Sequence, residues 1–327
     1  MNILYTTDDT FIPQTAASCA SVLENNTGSR DICFYIMALH VSAENREALT
    51  RFVNSRSSSI RKRSVRFIDL ADMESYFDFP FEITGWNPIV LARLLAGQLL
   101  PPELDRILYL DADTIVRADL RPLYETDLMG CPLGACIEPT CDPGRKAALG
   151  LRHMPYYNAG VLLIDLKAWR EQKAGEQVIT FYREMDGKLF ANDQDAINGA
   201  LRGKIRTLSP TWNYHNTYDL YRYRLLRKYC DYPVPSRAEI RIIRRDPAII
   251  HFLGEDRPWR AGCTHRFRGE YRHYLSLTPW KSQPPEEGWQ IYFLCWRIFN
   301  FLMKPFPLLR VSIINRLIPF MLKRRSR

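Results

Sequence analysis

Leu108-Tyr109-Leu110-Asp111-Ala112-Asp113 is an apolar run that ends in two carboxylates separated by one residue. Arg106 to Leu110 reads as a strand, and positions i and i+2 of extended chain project to one face. Asp111 and Asp113 can therefore address one hard divalent cation in the crevice beyond the strand's carboxyl end, where open α/β sheets bind ligands. The arrangement suits a metal-bound nucleotide diphosphate, whose growing negative charge on bond cleavage a cation would offset. A solvated acidic turn is the alternative reading of the same residues.

Outward from this run the chain alternates. Strands are predicted over Ile3-Leu4-Tyr5-Thr6, Ile32 to Leu39, Val65 to Leu70, Leu133 to Ile137, Val161 to Ile164 and Ala248 to Phe252. Helices are predicted over Pro13 to Leu23, Glu44 to Val53, Pro88 to Leu100 and Ala168 to Met185. This order predicts an α/β fold with a Rossmann-like mixed, mostly parallel sheet flanked by helices. The stretch from Trp212 to Tyr229, which includes Tyr214, is rich in Tyr and Arg. It can be read as a platform for acceptor sugar rings or as a surface helix with buried aromatic anchors.

The 327 residues are 46% hydrophobic and 25% charged, with 16 Gly and 21 Pro unclustered, which excludes collagen-like and disordered classes. The first strand runs into Thr7-Asp8-Asp9, where an acid can hold a base or ribose or cap a helix. No glycine occurs between Met1 and Gly28, which excludes a dinucleotide fingerprint and the Gly-rich phosphate loop of a nucleotidyltransferase there. Cys131, Cys136 and Cys141 are five residues apart and alternate faces in extended chain, so core cysteines are expected in place of a zinc site. Met1-Asn2-Ile3-Leu4-Tyr5 lacks a basic leader, from which a reducing compartment is expected.

The formal net charge of +9 is unevenly placed. From Gly288 to Arg327 there are eight Lys or Arg (Arg297, Lys304, Arg310, Arg316, Lys323, Arg324, Arg325, Arg327) and no acid, leaving +1 for residues 1–287. In that tail Gln290, Arg297 and Lys304 recur every seven residues, a narrow polar stripe opposite Ile291, Phe293, Leu294, Ile298, Phe301 and Leu302. A second helical piece, Leu308 to Leu322, follows, with breaks expected at Pro305, Pro307 and Pro319. The tail reads as an interfacial anchor for an anionic membrane surface, with its aromatic content favouring lipid over nucleic acid. A helix docked on the body is the plainer alternative. No stretch reaches the roughly 18 to 20 apolar residues of a spanning helix.

Taken together, several runs resemble the family-8 retaining glycosyltransferases, in particular the bacterial enzymes that add galactose or glucose to lipopolysaccharide cores. They are Ile3 to Asp9, Leu108 to Asp113, Tyr157-Asn158-Ala159-Gly160 with Val161 to Ile164, Asn192 to Asn198, and His251-Phe252-Leu253-Gly254 with Arg257-Pro258-Trp259. The resemblance implies a GT-A catalytic domain over residues 1–260, followed by a connecting segment 261–287 and the basic tail 288–327. It implies a UDP-galactose or UDP-glucose donor, a glycan or glycolipid acceptor, no nucleic-acid partner, and Mn2+ or Mg2+ on Asp111, Asp113 and His251. An imidazole beside two carboxylates suits a borderline transition metal.

It further implies that Thr6 and Asp8 meet the uridine, that Arg93 lies over the donor sugar and phosphates, and that Ala112 lines the donor site between the two acids. Asn158, Asp193 and Gln194 would contact the hexose, and Gly254 and Arg257 the diphosphate. Glu138 falls where relatives place an acidic acceptor contact, and Tyr214 is a second acceptor candidate. Thr10 stands where many relatives have Asn, and Arg257 where Lys is usual; Arg keeps the positive charge in fork geometry. For retention, Gln194 or Asp193 is the candidate on the face opposite the leaving group. Front-face attack is favoured, because a covalent route wants a carboxylate and Gln194 is an amide. The implied setting is cytoplasmic, peripheral on the inner face of the cell membrane. A non-catalytic nucleotide-sugar or carbohydrate-binding protein on the same fold is the rival reading.

Overall fold

The computed structural model describes residues 1–70, 72–83, 87–230, 232 and 234–325. Among the described residues there are nine strands, β1 (Asn2–Asp8), β2 (Asp31–Leu39), β3 (Lys62–Leu70), β4 (Arg106–Leu110), β5 (Thr114–Val116), β6 (Leu133–Ile137), β7 (Tyr157–Asp165), β8 (Ile205–Thr207) and β9 (Ile249–His251). Seven of them form one sheet in the order β3-β2-β1-β4-β7-β6-β8, while β5 and β9 pair separately. All neighbours in the large sheet run parallel except at β7, which is antiparallel to both β4 and β6. The expected mixed, mostly parallel sheet is the one observed.

Alternation along the strands builds two cores, one on each face of the sheet. Ile3 and Tyr5 of β1 join Leu108 and Leu110 of β4 on the face covered by helix Ile12–Asn25. Leu4, Ile107 and Tyr109 point the other way, toward Leu91, Leu94, Trp169 and Tyr182. Asp111 continues the parity of Ile107 and Tyr109. β4 therefore delivers it to the side where the segment Pro88–Leu95 packs.

Three sequence expectations about elements are corrected. The helix expected over Ala168 to Met185 is two helices, Leu166–Glu171 and Ala174–Glu184, because Lys173 adopts a left-handed φ of 52° between them. Pro88 to Leu100 opens as a 3-10 coil over Pro88–Leu95 before a single α turn, Ala96–Leu99. In the tail, helices Gln290–Met303 and Pro307–Arg325 flank a break at Pro305, but Pro307 opens the second helix and Pro319 lies within it. A proline fits a first turn, where its missing N–H has no partner to lose.

The tail both docks and exposes apolar surface. Phe293 and Val311 are buried, and Arg310 reaches the Tyr221 hydroxyl and donates to Asn300 Oδ1 at 2.9 Å. Arg260 of the body stacks on the Trp289 ring at 3.5 Å. Ile291 and Phe301 nevertheless remain 76% and 78% exposed, with Leu294, Ile298, Leu302, Phe306 and Leu308 also exposed. Arg327 lies outside the described residues. Among the described residues no helix is long and apolar enough to cross a membrane.

Candidate metal and donor site

The carboxyl end of β4 is where the chemistry collects. The Asp111 amide donates to the Gly160 carbonyl at 2.8 Å, extending the β4–β7 ladder past Leu110↔Val161 and fixing the turn that follows. Thr114, at the start of β5, pairs with His251 at the end of β9, and the Phe252 amide donates to the Asp113 carbonyl at 3.0 Å. This small ladder carries the imidazole to the two acids. His251 Nε2 lies 3.2 Å from Asp113 Oδ1 and 3.5 Å from Asp111 Oδ2.

One ligand atom from each of the three residues falls within 4.8 Å of the others. Two carboxylates and one imidazole at this spacing fit a divalent cation that accepts O and N ligands. The space between them is kept by Gly160. A Cβ there would sit 2.1 Å from His251 Cε1 and 2.9 Å from Asp111 Oδ2. Burial opposes charge on both His251 and Asp113, yet each stabilises the other's ionised form. The imidazole's pKa is raised by Asp113 and Asp111, and Asp113 is lowered by His251 and Arg257.

Arg93 is enclosed on the opposite side. Its guanidinium lies 2.9 Å from Asp111 Oδ1 and 3.2 Å from Asp193 Oδ2, donates to the Ala159 carbonyl at 2.7 Å, and stacks on Tyr109 at 4.3 Å. Burial disfavours its charge, but Asp111 and Asp193 more than offset this and raise its pKa. Asp193 is moved in the other sense. Desolvation lifts its carboxyl to about 6 against the pull of Arg93.

The other expected residues are placed as follows. Thr6 Oγ1 is 3.1 Å from Tyr109 Oη, which donates to Asp111 Oδ1 at 2.6 Å, so β1 and β4 brace the first acid together. Asp8 caps the turn Asp9–Phe11 through the Phe11 amide at 3.0 Å, and Thr10 Oγ1 donates to the same oxygen at 2.7 Å. Asn158 Nδ2 donates to Glu138 Oε2 at 3.0 Å, and Gln194 Nε2 approaches that oxygen at 3.3 Å. Gln194 Oε1 accepts from the Ala159 amide at 3.0 Å. Ala112 is buried between the two acids. Gly254 holds a φ of +79°, and Arg257 donates to its carbonyl at 2.9 Å while standing 3.7 Å from Asp113 Oδ2.

Tyr214 is fully buried, its ring packs edge-on to Phe267 at 5.4 Å, and its hydroxyl donates to Asp219. The backbone around it is extended and bridged to Ile250, so Tyr214 points to the core while its neighbours Asn213 and His215 take the other face. Asn213 is the residue the sequence reading missed: buried, its Oδ1 lies 3.0 Å from His251 Nδ1. Nothing in a lone Asn beside Trp212 signals that contact. The three cysteines do not converge, since Cys136 and Cys141 belong to cores on opposite faces.

The family model described as Glycosyl transferase family 8 matches residues 2–263. The fold and site define a GT-A glycosyltransferase, and the chain belongs to glycosyltransferase family 8. It is a hexosyltransferase. It is 26% identical over 286 residues to "General stress protein A" of Bacillus subtilis (strain 168), covering 86% of this chain and 95% of that protein. It is 28% identical over 208 residues to the lipopolysaccharide 1,2-glucosyltransferase of Escherichia coli (strain K12), covering 62% of this chain and 58% of that one. Among solved structures, the galactosyltransferase LgtC in complex with donor and acceptor sugar analogues matches with a TM-score of 0.70 and 26% identity, covering 85% of this chain and 96% of that one.

Proposed function

We propose that the protein transfers galactose or glucose from a UDP-sugar to a hydroxyl of a lipopolysaccharide or other cell-surface glycan, with retention of configuration and with Mn2+ or Mg2+ held by Asp111, Asp113 and His251. The observation that carries the reading is the convergence of those three side chains within 4.8 Å. A divalent cation bound there offsets charge on a departing diphosphate. Arg257, near Asp113, adds a fork of donors for phosphate oxygens, with Gly254 leaving open space beside it. Thr6 and Asp8, at the carboxyl end of β1, face the nucleoside. Asn158 and Gln194 orient the hexose, and Glu138, which both of them touch, receives the acceptor.

Front-face attack is the route these contacts favour. Gln194 is a neutral amide spent on the Ala159 amide and the Tyr156 hydroxyl, and Asp193 is engaged by Arg93. Neither is poised as a free carboxylate nucleophile. Residues 1–260 would form the catalytic domain and 261–287 the connection. Residues 288–327 would rest on an anionic membrane surface at the cytoplasmic face, a reading supported by exposed apolar side chains in a segment whose sequence carries seven Lys or Arg besides the docked Arg310 and no acid.

The test is release of UDP from UDP-galactose, UDP-glucose and their N-acetyl forms, with Mn2+ and a sugar acceptor. Asp111→Asn and Asp113→Asn should each abolish release while the far-UV circular dichroism is kept. Near-normal turnover in either variant removes the assignment. A chain that binds UDP-hexose without turnover would be the carbohydrate-binding rival.

A further inference from the structure

A chain of side-chain hydrogen bonds runs from Glu138 to the far side of His251, and its polarity can be worked out from its ends. A carboxylate oxygen only accepts. Asn158 Nδ2 lies 3.0 Å from Glu138 Oε2, so the Asn158 amide turns its nitrogen to Glu138 and its oxygen the other way. That oxygen accepts from the Gly160 backbone amide at 2.9 Å, and since a backbone N–H only donates, the orientation is fixed from a second direction. Asn213 Nδ2 donates to the same oxygen at 2.8 Å. Asn213 Oδ1 is thereby left facing His251 Nδ1 at 3.0 Å.

An amide oxygen cannot donate, so Nδ1 carries the hydrogen. In the neutral ring Nε2 is then the lone-pair nitrogen, and Nε2 is the atom 3.2 Å from Asp113 Oδ1 and 3.5 Å from Asp111 Oδ2. Amide orientation is ordinarily ambiguous. Here a group that only accepts sits at one end and a group that only donates in the middle, so a flipped amide anywhere would set oxygen against oxygen or N–H against N–H.

The backbone holds Asn213 in place as firmly as its side chain is held. The Tyr214 amide donates to the Ile249 carbonyl at 2.9 Å and the His251 amide donates to the Tyr214 carbonyl at 2.7 Å. β9 is thus flanked by β5 on one edge and by the Asn213–His215 segment on the other.

We propose that Asn213, oriented through Asn158 by the Glu138 carboxylate and the Gly160 amide, is the positioning residue that commits His251 to presenting Nε2 to a divalent cation. It touches no reacting atom. The inference rests on the metal reading above and adds that a residue of the expected acceptor contact also sets the tautomer of a metal ligand. Partners of this kind are worth about 10- to 100-fold in metal affinity.

The test uses the full chain and Mn2+ alone, with no nucleotide. Free Mn2+ is measured by electron paramagnetic resonance, and nitrogen coupling to bound Mn2+ by electron spin echo modulation. Asn213→Leu, similar in size and without an acceptor, should weaken binding at least 10-fold and lose the imidazole nitrogen coupling. In the wild-type chain saturated with Mg2+, 15N spectra should place the ring hydrogen of His251 on Nδ1; this measurement needs no variant to fold. A hydrogen on Nε2, or a folded Leu variant with unchanged affinity and coupling, overturns the relay alone. A wild-type chain that leaves all Mn2+ free sinks the metal reading and the relay together.

Discussion

Arg93 lies 2.9 Å from Asp111 and 3.2 Å from Asp193, so a single buried guanidinium neutralises two carboxylates that belong to different segments of the chain. Its Nε hydrogen goes to the Val90 carbonyl, so Asp193 is held by charge and not by a hydrogen bond, and Nη1 donates to the Ala159 carbonyl. Arg93→Met should strand both acids. Removing one partner of a buried ion pair costs about 3 to 5 kcal/mol, and urea unfolding should show a loss of that order. A change within experimental error would mean the carboxylates are solvated.

Gly160 stands where a methyl group would meet the imidazole and the first acid. Its backbone has no left-handed requirement, so Gly160→Ala tests space alone. Mn2+ affinity, read by titration calorimetry, should fall at least 10-fold while the sheet stays folded. Unchanged affinity would show that the ring and Asp111 can part without losing the ion.

His215 is fully buried, with neither ring nitrogen hydrogen-bonded. Burial lowers its pKa to about 4, whereas in the unfolded chain it titrates near 6.5. Between those values the unfolded chain binds a proton that the folded protein refuses. Stability is therefore full above about pH 6.5 and falls as the pH drops toward 4, with each pKa unit worth about 1.4 kcal/mol. His215→Phe should flatten this slope, because an unpaired buried polar group is replaced by an apolar one. Urea midpoints of both proteins at pH 7.5 and 4.5 decide it: parallel falls would refute the assignment.

For the tail, Ile291→Ser, Phe301→Ser and Leu302→Ser combined should leave the melting temperature nearly unchanged, since all three side chains are exposed. Sedimentation with vesicles containing phosphatidylglycerol should drop several-fold, and binding of the unmodified chain should weaken with salt. Equal sedimentation of both proteins would assign the tail to docking alone.

Much of this site can be read along the chain, because its parts sit at strand ends. Asp111 follows an apolar run whose parity sets its side of the sheet, whereas Asp113 is brought beside it by a turn, closed by the Thr114 amide donating to the Asp111 carbonyl at 3.1 Å, in place of the extended chain expected; the expected sheet is the one formed. What escapes is lateral. Tyr214 attracts a sugar-binding reading through its chemistry, but beside the bridge to Ile250 its ring is buried and Asn213 takes the face toward His251. Such a bridge joins segments with no shared pattern. The break at Lys173 escapes for a related reason: the periodicity of Ala168 to Met185 is helical on both sides of one left-handed residue.

The ladder between β5 and β9 also fixes an order of events. Both acids are synthesised long before the imidazole, so a chain arrested on the ribosome after β5 holds only two of the three candidate ligands. Ion capture would then report that the catalytic body has been translated through β9 and closed upon itself.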